Sequence, residues 1–233
     1  MFTLPNLLTA TNLFLGCCAL VSLAQGNDFV CLILVLAAAA VDFLDGFVAR
    51  AMGQQSELGV QLDSLSDVVS FGVVPGMICY QVLASSWPEQ ANLAYLGFLI
   101  PVMAAFRLAR FNLNASGKDA FFQGLPVPAN ALFFLGILHV KHADPDLHRV
   151  IYEPIVFLLI VALFGFLMIS NIRILKIHPT PAWLKKYGYV LFLEGLALAS
   201  WYWIGATALS LAVLVHLFLS LFIQYKNHEI IYP

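Results

Sequence analysis

Charge is what this chain has least of. Only 10% of its 233 residues are Asp, Glu, Lys or Arg, against 61% that are hydrophobic, and its mean hydropathy is +0.89. Too little polar surface remains to cover a soluble globule, so a polytopic membrane protein is expected instead. No basic patch is present, which argues against nucleic acid as a partner, and the formal net charge of −2 says nothing further. Cysteine is sparse as well. Cys17, Cys18, Cys31 and Cys79 lie in apolar runs with neither metal-ligand spacing nor a disulfide framework, and read as small buried hydrophobes. The N-terminus lacks the basic segment and the cleavage site of a secretory signal, so its first apolar run is expected to remain as a helix. Without targeting extensions, the expected location is a bacterial or archaeal plasma membrane.

Long apolar runs are abundant. Set against the roughly 20 residues that span a bilayer, they predict helices near 5–25, 29–50, 57–84, 91–113, 127–142, 150–171, 185–203 and 205–225. The fold class is therefore an all-α membrane bundle of about eight transmembrane helices. On this topology Arg50, Arg107, Arg110, Lys118, Arg173, Lys176, Lys185, Lys186 and Lys226 share one side, and only Lys141 and Arg149 take the other. The positive-inside rule puts the first side, and both termini, in the cytoplasm. Residues 1–171 are expected to form a six-helix core, and 172–233 a cytoplasmic loop followed by a C-terminal helical hairpin.

Within this apolar background stand four carboxylates, Asp42, Asp45, Asp63 and Asp67. Each costs at least about 2.5 to 3.5 kcal/mol if ionised at a helix centre, so the group requires compensation. Arg50 is the nearest cation in sequence, and one arginine cannot neutralise four acids. Metal ions, protons or a water-filled cavity are the remaining compensations. Asp42 and Asp45 are three residues apart and Asp63 and Asp67 four apart, so each pair occupies one helix face. A short turn through Gly53 would bring the two faces together as a cluster of oxygen ligands, the kind preferred by Mg²⁺ or Mn²⁺. Gly46, Ala49 and Gly59 would admit a close backbone or a flat ligand beside the carboxylates, although small residues also serve plain helix packing.

Written out, Asp42-Phe-Leu-Asp45-Gly46-Phe-Val-Ala49-Arg50, eight residues, Gly59, three residues, Asp63, three residues, Asp67 resembles the signature of the CDP-alcohol phosphotransferase family at every fixed position. The resemblance implies a two-metal site that joins an alcohol to the phosphatidyl group of a CDP-activated lipid and releases CMP. It assigns Asp42, Asp45 and Asp63 to Mg²⁺ or Mn²⁺, with Asp67 beside the metals as general base. It places Gly46, Arg50 and Ser56 at the CDP moiety, with Ala49 and Gly59 shaping that pocket. The residues themselves do not distinguish Asp67 as base from Asp67 as a fourth equal ligand. The family commonly forms homodimers, so a homodimer is expected.

The acceptor alcohol is read from Phe106-Arg107-Leu108-Ala109-Arg110-Phe111-Asn112 and Phe122-Gln123-Gly124-Leu125-Pro126-Val127-Pro128-Ala129-Asn130. Both look like segments of the phosphatidylserine synthase branch, which implies CDP-diacylglycerol and L-serine as substrates in a membrane lipid environment. Arg107 and Arg110 would bind the serine carboxylate or the lipid phosphate, and Asn112 would orient either; as bare sequence the two arginines also suit plain topology markers. A sister enzyme using glycerol phosphate, inositol or inositol phosphate would share the whole aspartate motif. An ion or proton transporter built around the acids predicts inverted repeats and acids spread through the membrane, and neither is apparent. His139 and His142 read as interfacial rather than as a metal pair, and His216 and Glu194 as facing partners in the last two helices.

Overall fold

The computed structural model describes residues 3–113, 121–177 and 180–231, and almost all of them are helical. Lys118, one of the expected topology markers, lies outside the described residues. The first helix, α1 (Leu4–Ala24), has Pro5 in its first turn, where a missing N–H costs nothing. The second, α2 (Asp28–Ala51), runs back beside it. Next, α3 (Glu57–Asp67) passes through a π-helical stretch, Val68–Val73, into α4 (Val74–Ser86). A 3-10 run, Pro88–Phe98, leads into α5 (Leu99–Leu113).

Among the described residues, five stretches are long and apolar enough to cross a membrane: Leu4–Ala24, Asp28–Ala51, Glu57–Ser86, Pro88–Leu113 and Trp183–Lys226. The last holds 44 residues, about 66 Å at 1.5 Å per residue, twice the hydrocarbon thickness. It folds back on itself as α10 (Pro181–Ala199) and α12 (Ala208–Ile231), reversing through the short α11 (Trp201–Ile204) and Gly205, which adopts φ +54°. Where the sequence predicts an unbroken helix over 150–171, the structure has α8 (Pro145–Ile151) and α9 (Pro154–Ile169) meeting at a 72° bend. The break is coded locally: Glu153 accepts the Val156 N–H at 2.8 Å, and Pro154 cannot donate to a preceding turn. Counted as one span, this pair makes six.

The helix at the centre of the bundle is α6 (Val127–Leu138), too short to cross alone but buried on nearly every face, and a single further turn, α7 (Val140–Ala143), follows it. An apolar helix without a polar side belongs inside a larger assembly. Its Phe133 ring stacks on Phe164 of α9 with centroids 3.6 Å apart, and the Phe133 carbonyl accepts the Ser210 hydroxyl of α12 at 2.6 Å. Gly136 makes that second contact possible, since a methyl there would lie 2.6 Å from the Ser210 amide nitrogen. The first half of α12 thus belongs to the main core, whereas its second half joins α10 in a smaller cluster.

A two-stranded antiparallel ribbon, β1 (Phe121–Gln123) with β2 (Arg173–Leu175), ties the segment before α6 to the segment after α9. Leu175 is then held by α12: its N–H donates to Ser220 Oγ at 3.2 Å, and its carbonyl lies 3.1 Å from His216 Nε2. The other nitrogen of His216 lies 2.6 Å from Glu194, so these two groups pair across the C-terminal hairpin. His139 is buried with Nδ1 on the Leu135 carbonyl and takes part in no metal-ligating group among the described residues.

Candidate active site at the α2–α3 hairpin

The turn that joins the aspartate helices is built from its sequence. Beyond Met52, Gly53 takes φ +62°, its N–H bonds the Arg50 carbonyl at 3.3 Å, and the Gln54 N–H bonds the Ala49 carbonyl at 3.0 Å. This is the pair of bonds that closes a helix through a left-handed glycine. Ser56 then opens α3, its hydroxyl accepting the Gly59 N–H at 3.0 Å. The hairpin turns the two acidic faces toward each other. Asp42, Asp63 and Asp67 each present an oxygen within 4.8 Å of the others. Asp67 is the most buried of the three.

Asp45 faces another neighbour. Its Oδ2 accepts the Thr9 hydroxyl of α1 at 2.6 Å, and the residue lines a cavity of about 530 Å³ that opens beside the triad. Gly46, Ala49, Arg50, Ser56, Gly59 and Asp63 line the same cavity, so all five residues expected at the CDP moiety share it with two of the aspartates. Arg50 folds back along α2, such that a methyl on Gly46 would meet its Nη1 at 3.3 Å. The guanidinium therefore rests over the cavity wall at the site of a missing side chain. Asp63 belongs to both halves of the site, triad and cavity.

Of the residues expected to bind the acceptor, Arg107 is buried, and its Nε has no hydrogen-bond partner. Asn112 donates to Ser64 Oγ at 2.9 Å, next to Asp63. Arg110 turns elsewhere. Its guanidinium donates to the Ile169 carbonyl at 2.7 Å, the Ser170 carbonyl at 3.0 Å and Asn171 Oδ1 at 3.4 Å, capping the last turn of α9.

Sequence reasoning missed the contribution of α1. Pro5, Asn6 and Thr9 line the cavity together with Gln54, Gln55, Glu57 and Val60. The missed signal was a run of buried polar residues, Asn6, Thr9 and Asn12, at helical spacing in an otherwise apolar helix.

Hard oxygen donors converging this closely suit a divalent cation such as Mg²⁺ or Mn²⁺, and three carboxylates without one would repel each other in a poorly solvated place. The residues present therefore fit a metal centre opening onto a cavity that Arg50 lines.

Residues 2–222 match the family model described as CDP-alcohol phosphatidyltransferase. A CDP-diacylglycerol--serine O-phosphatidyltransferase of Helicobacter pylori (strain ATCC 700392 / 26695) is 33% identical over 174 residues, 74% of this chain and 72% of that protein. The protein of the same name from Methanocaldococcus jannaschii is 35% identical over 175 residues, 74% of each chain. That of Bacillus subtilis (strain 168) is 31% identical over 170 residues, 73% of this chain and 88% of the relative.

Proposed function

Because the chain belongs to the CDP-alcohol phosphatidyltransferase family, we propose that it makes phosphatidylserine and CMP from CDP-diacylglycerol and L-serine at the aspartate site. The observation that carries this reading is the convergence of Asp42, Asp63 and Asp67 beside the cavity lined by Asp45, Gly46, Ala49, Arg50, Ser56 and Gly59. Relatives named for this activity support serine as the acceptor. Asp42, Asp45, Asp63 and Asp67 would hold two divalent ions, which would neutralise the acids and offset charge on the pyrophosphate.

The residues then divide the work. Arg50 donates charge-assisted hydrogen bonds to a phosphate of the CDP-lipid, while Gly46, Ala49 and Gly59 leave room for the nucleotide and Ser56 borders it. Arg107 and Asn112 hold the serine, with Arg107 facing its carboxylate; Arg110 supports them by fixing α5 to the end of α9. The serine oxygen forms a bond to the phosphorus bearing diacylglycerol, and its proton passes to Asp67. The bond from that phosphorus to CMP breaks, and CMP leaves with the electron pair.

In the membrane, the reading is eight crossings, both termini cytoplasmic and the site on the cytoplasmic side of a bacterial or archaeal plasma membrane, with two copies forming a homodimer. It retains 1–171 as the six-helix unit and 172–233 as loop and hairpin, with the first half of α12 packed into the core of that unit. Supporting the topology, Asp28 at the end of α2 remote from Arg50 pairs with Lys141 at 2.9 Å, whereas Arg110, Arg173 and Lys176 gather around the β1–β2 ribbon.

The test is CMP release by purified protein in CDP-diacylglycerol micelles with Mn²⁺ or Mg²⁺, offering L-serine, glycerol 3-phosphate and inositol separately. Serine- and metal-dependent release is expected; release with another alcohol overturns the acceptor, and none with any alcohol overturns the activity. In the same assay Arg50→Gln is expected to raise KM for CDP-diacylglycerol about 10- to 100-fold, the equivalent of a lost charged hydrogen bond. An unchanged KM would remove Arg50 from the phosphate.

A further inference from the structure

The face of α1 toward α2 and α3 carries Pro5, Thr9, Asn12 and Gly16, one stripe at helical spacing, and α1 has no charged residue of its own. A hydroxyl inside an apolar helix ordinarily satisfies itself on the carbonyl four residues back. Thr11 does so on Leu7 at 2.9 Å, and Ser22 on Cys18 at 3.0 Å. Thr9 has the same option, with the Pro5 carbonyl at 3.1 Å, yet stands only 2.6 Å from Asp45 Oδ2. One proton faces two acceptors, and the nearer, charged oxygen takes it.

One turn on, Asn12 is fully buried with Nδ2 at 3.5 Å from Asp67 Oδ1. Rotating the amide would set two acceptor oxygens against each other, so the donor faces the carboxylate. The opposing helix holds these two residues by their backbones. Ser66 Oγ donates to the Thr9 carbonyl at 2.9 Å and Ser70 Oγ to the Asn12 carbonyl at 3.0 Å, one serine on each side of Asp67. Gly16 permits this approach, because a methyl there would lie 2.9 Å from the Ser70 Cα. The register of α1 against α3 is therefore set at the depth of the site.

We propose that Thr9 and Asn12 are positioning residues of the aspartate site, orienting Asp45 from α2 and Asp67 from α3 so that the constellation is shaped for a divalent cation before one binds. The proposal rests on the reading of the aspartates as a metal site. Mutually repelling carboxylates held in one geometry by neutral donors lose less freedom on binding a cation, and outer-shell partners of this kind change affinity about 10- to 100-fold when removed.

The test reads Mn²⁺ binding directly, from the electron paramagnetic resonance signal of free Mn²⁺ titrated into purified protein without substrate. Thr9→Val and Asn12→Leu are expected to weaken binding about 10- to 100-fold. Thr9→Ser, which keeps the donor, should restore it to within a few-fold, and Thr11→Val in the same helix should change nothing. Thr9→Val should also add nothing in an Asp45→Asn background. A folded Thr9→Val protein that binds Mn²⁺ like its parent overturns the proposal, and Thr9→Ala makes the same test where valine is not accommodated. Asp63→Asn separates the two readings: loss of binding there with none in Thr9→Val defeats only the positioning role, whereas intact binding in Asp63→Asn defeats the metal site and the proposal with it.

Discussion

Asp67→Asn is expected to lower serine-dependent CMP release by about 10²- to 10⁴-fold, the range attributable to a positioned general base, while CDP-diacylglycerol still binds. Asparagine has nearly the same shape and retains an oxygen that can face a cation, but it cannot take the hydroxyl proton. Asp67 is also the most buried of the three clustered acids and touches none of the cavity that carries Gly46, Arg50 and Ser56, so removing its charge should leave the nucleotide contacts in place. Loss of CDP-lipid binding in step with turnover would show that Asp67 is an equal metal ligand and not a base. A second consequence has the opposite sign. With metal chelated, replacing one of three carboxylates whose oxygens lie within 4.8 Å of one another relieves repulsion, and the variant should melt no lower than its parent. A clear loss of thermal stability under chelation would mean that the acids are compensated by something other than a cation.

Gly124→Ala is expected to cause the largest loss of stability of any Gly→Ala change among the described residues. Gly124 sits at φ +72° between β1 and α6, and a Cβ there would lie 2.3 Å from the Met168 carbonyl oxygen and 3.0 Å from that of Leu167. The left-handed backbone alone costs a residue with a side chain about 1–3 kcal/mol. The collision adds to it, because both neighbours are backbone atoms of α9 and cannot rotate away. The same stretch is fastened on either side, with the Gly124 N–H on the Ile172 carbonyl at 2.8 Å and the Leu125 N–H on the Leu167 carbonyl at 2.9 Å. Relief would require giving up these bonds. A fall in melting temperature of about 10 °C, or failure to accumulate as folded protein, is the expected outcome for a change of 3 kcal/mol or more. Gly26→Ala is the matched control: Gly26 has φ +76° with nothing within 4 Å, so it bears only the backbone cost. Equal shifts for the two variants would show that the packing of the β1–α6 junction against α9 contributes nothing.

Much of this protein is legible in one dimension, for definite reasons. Hydrocarbon tolerates almost no unpaired charge, so composition alone separates the chain from soluble proteins and marks Asp42, Asp45, Asp63 and Asp67 as out of place. Their spacing and Gly53 encode the hairpin locally, through a helical period on each side and a left-handed glycine between, and the Asp42–Asp63–Asp67 cluster follows from that local code. The residues of the motif are likewise local, since Gly46, Ala49, Arg50, Ser56 and Gly59 all lie within 18 residues of an aspartate and line one cavity with it. Whatever depends on contacts between distant segments was not legible. That Arg110 caps α9 while Arg107 stays buried with its Nε unpartnered depends on how α5 packs, and two arginines three residues apart look equivalent until a neighbour is placed beside them. The break between α8 and α9 shows the limit from the other direction: its proline and glutamate were visible, yet a continuous apolar run outweighs them unless the bend is seen. The share of α1 in the site is the clearest case. Thr9 and Asn12 are unremarkable polar residues in an apolar helix, and they acquire a role because Ser66, Ser70 and Gly16 bring together residues more than 50 positions apart in sequence at the depth of the carboxylates. Membrane class, helical periods and the aspartate hairpin were determined by the sequence alone, because each rests on solvation or on neighbours a turn or two away. Which donors stand beside the acids, and which arginine is drawn away to cap α9, was decided only by the tertiary structure, because those relations exist between surfaces that the chain order does not bring together.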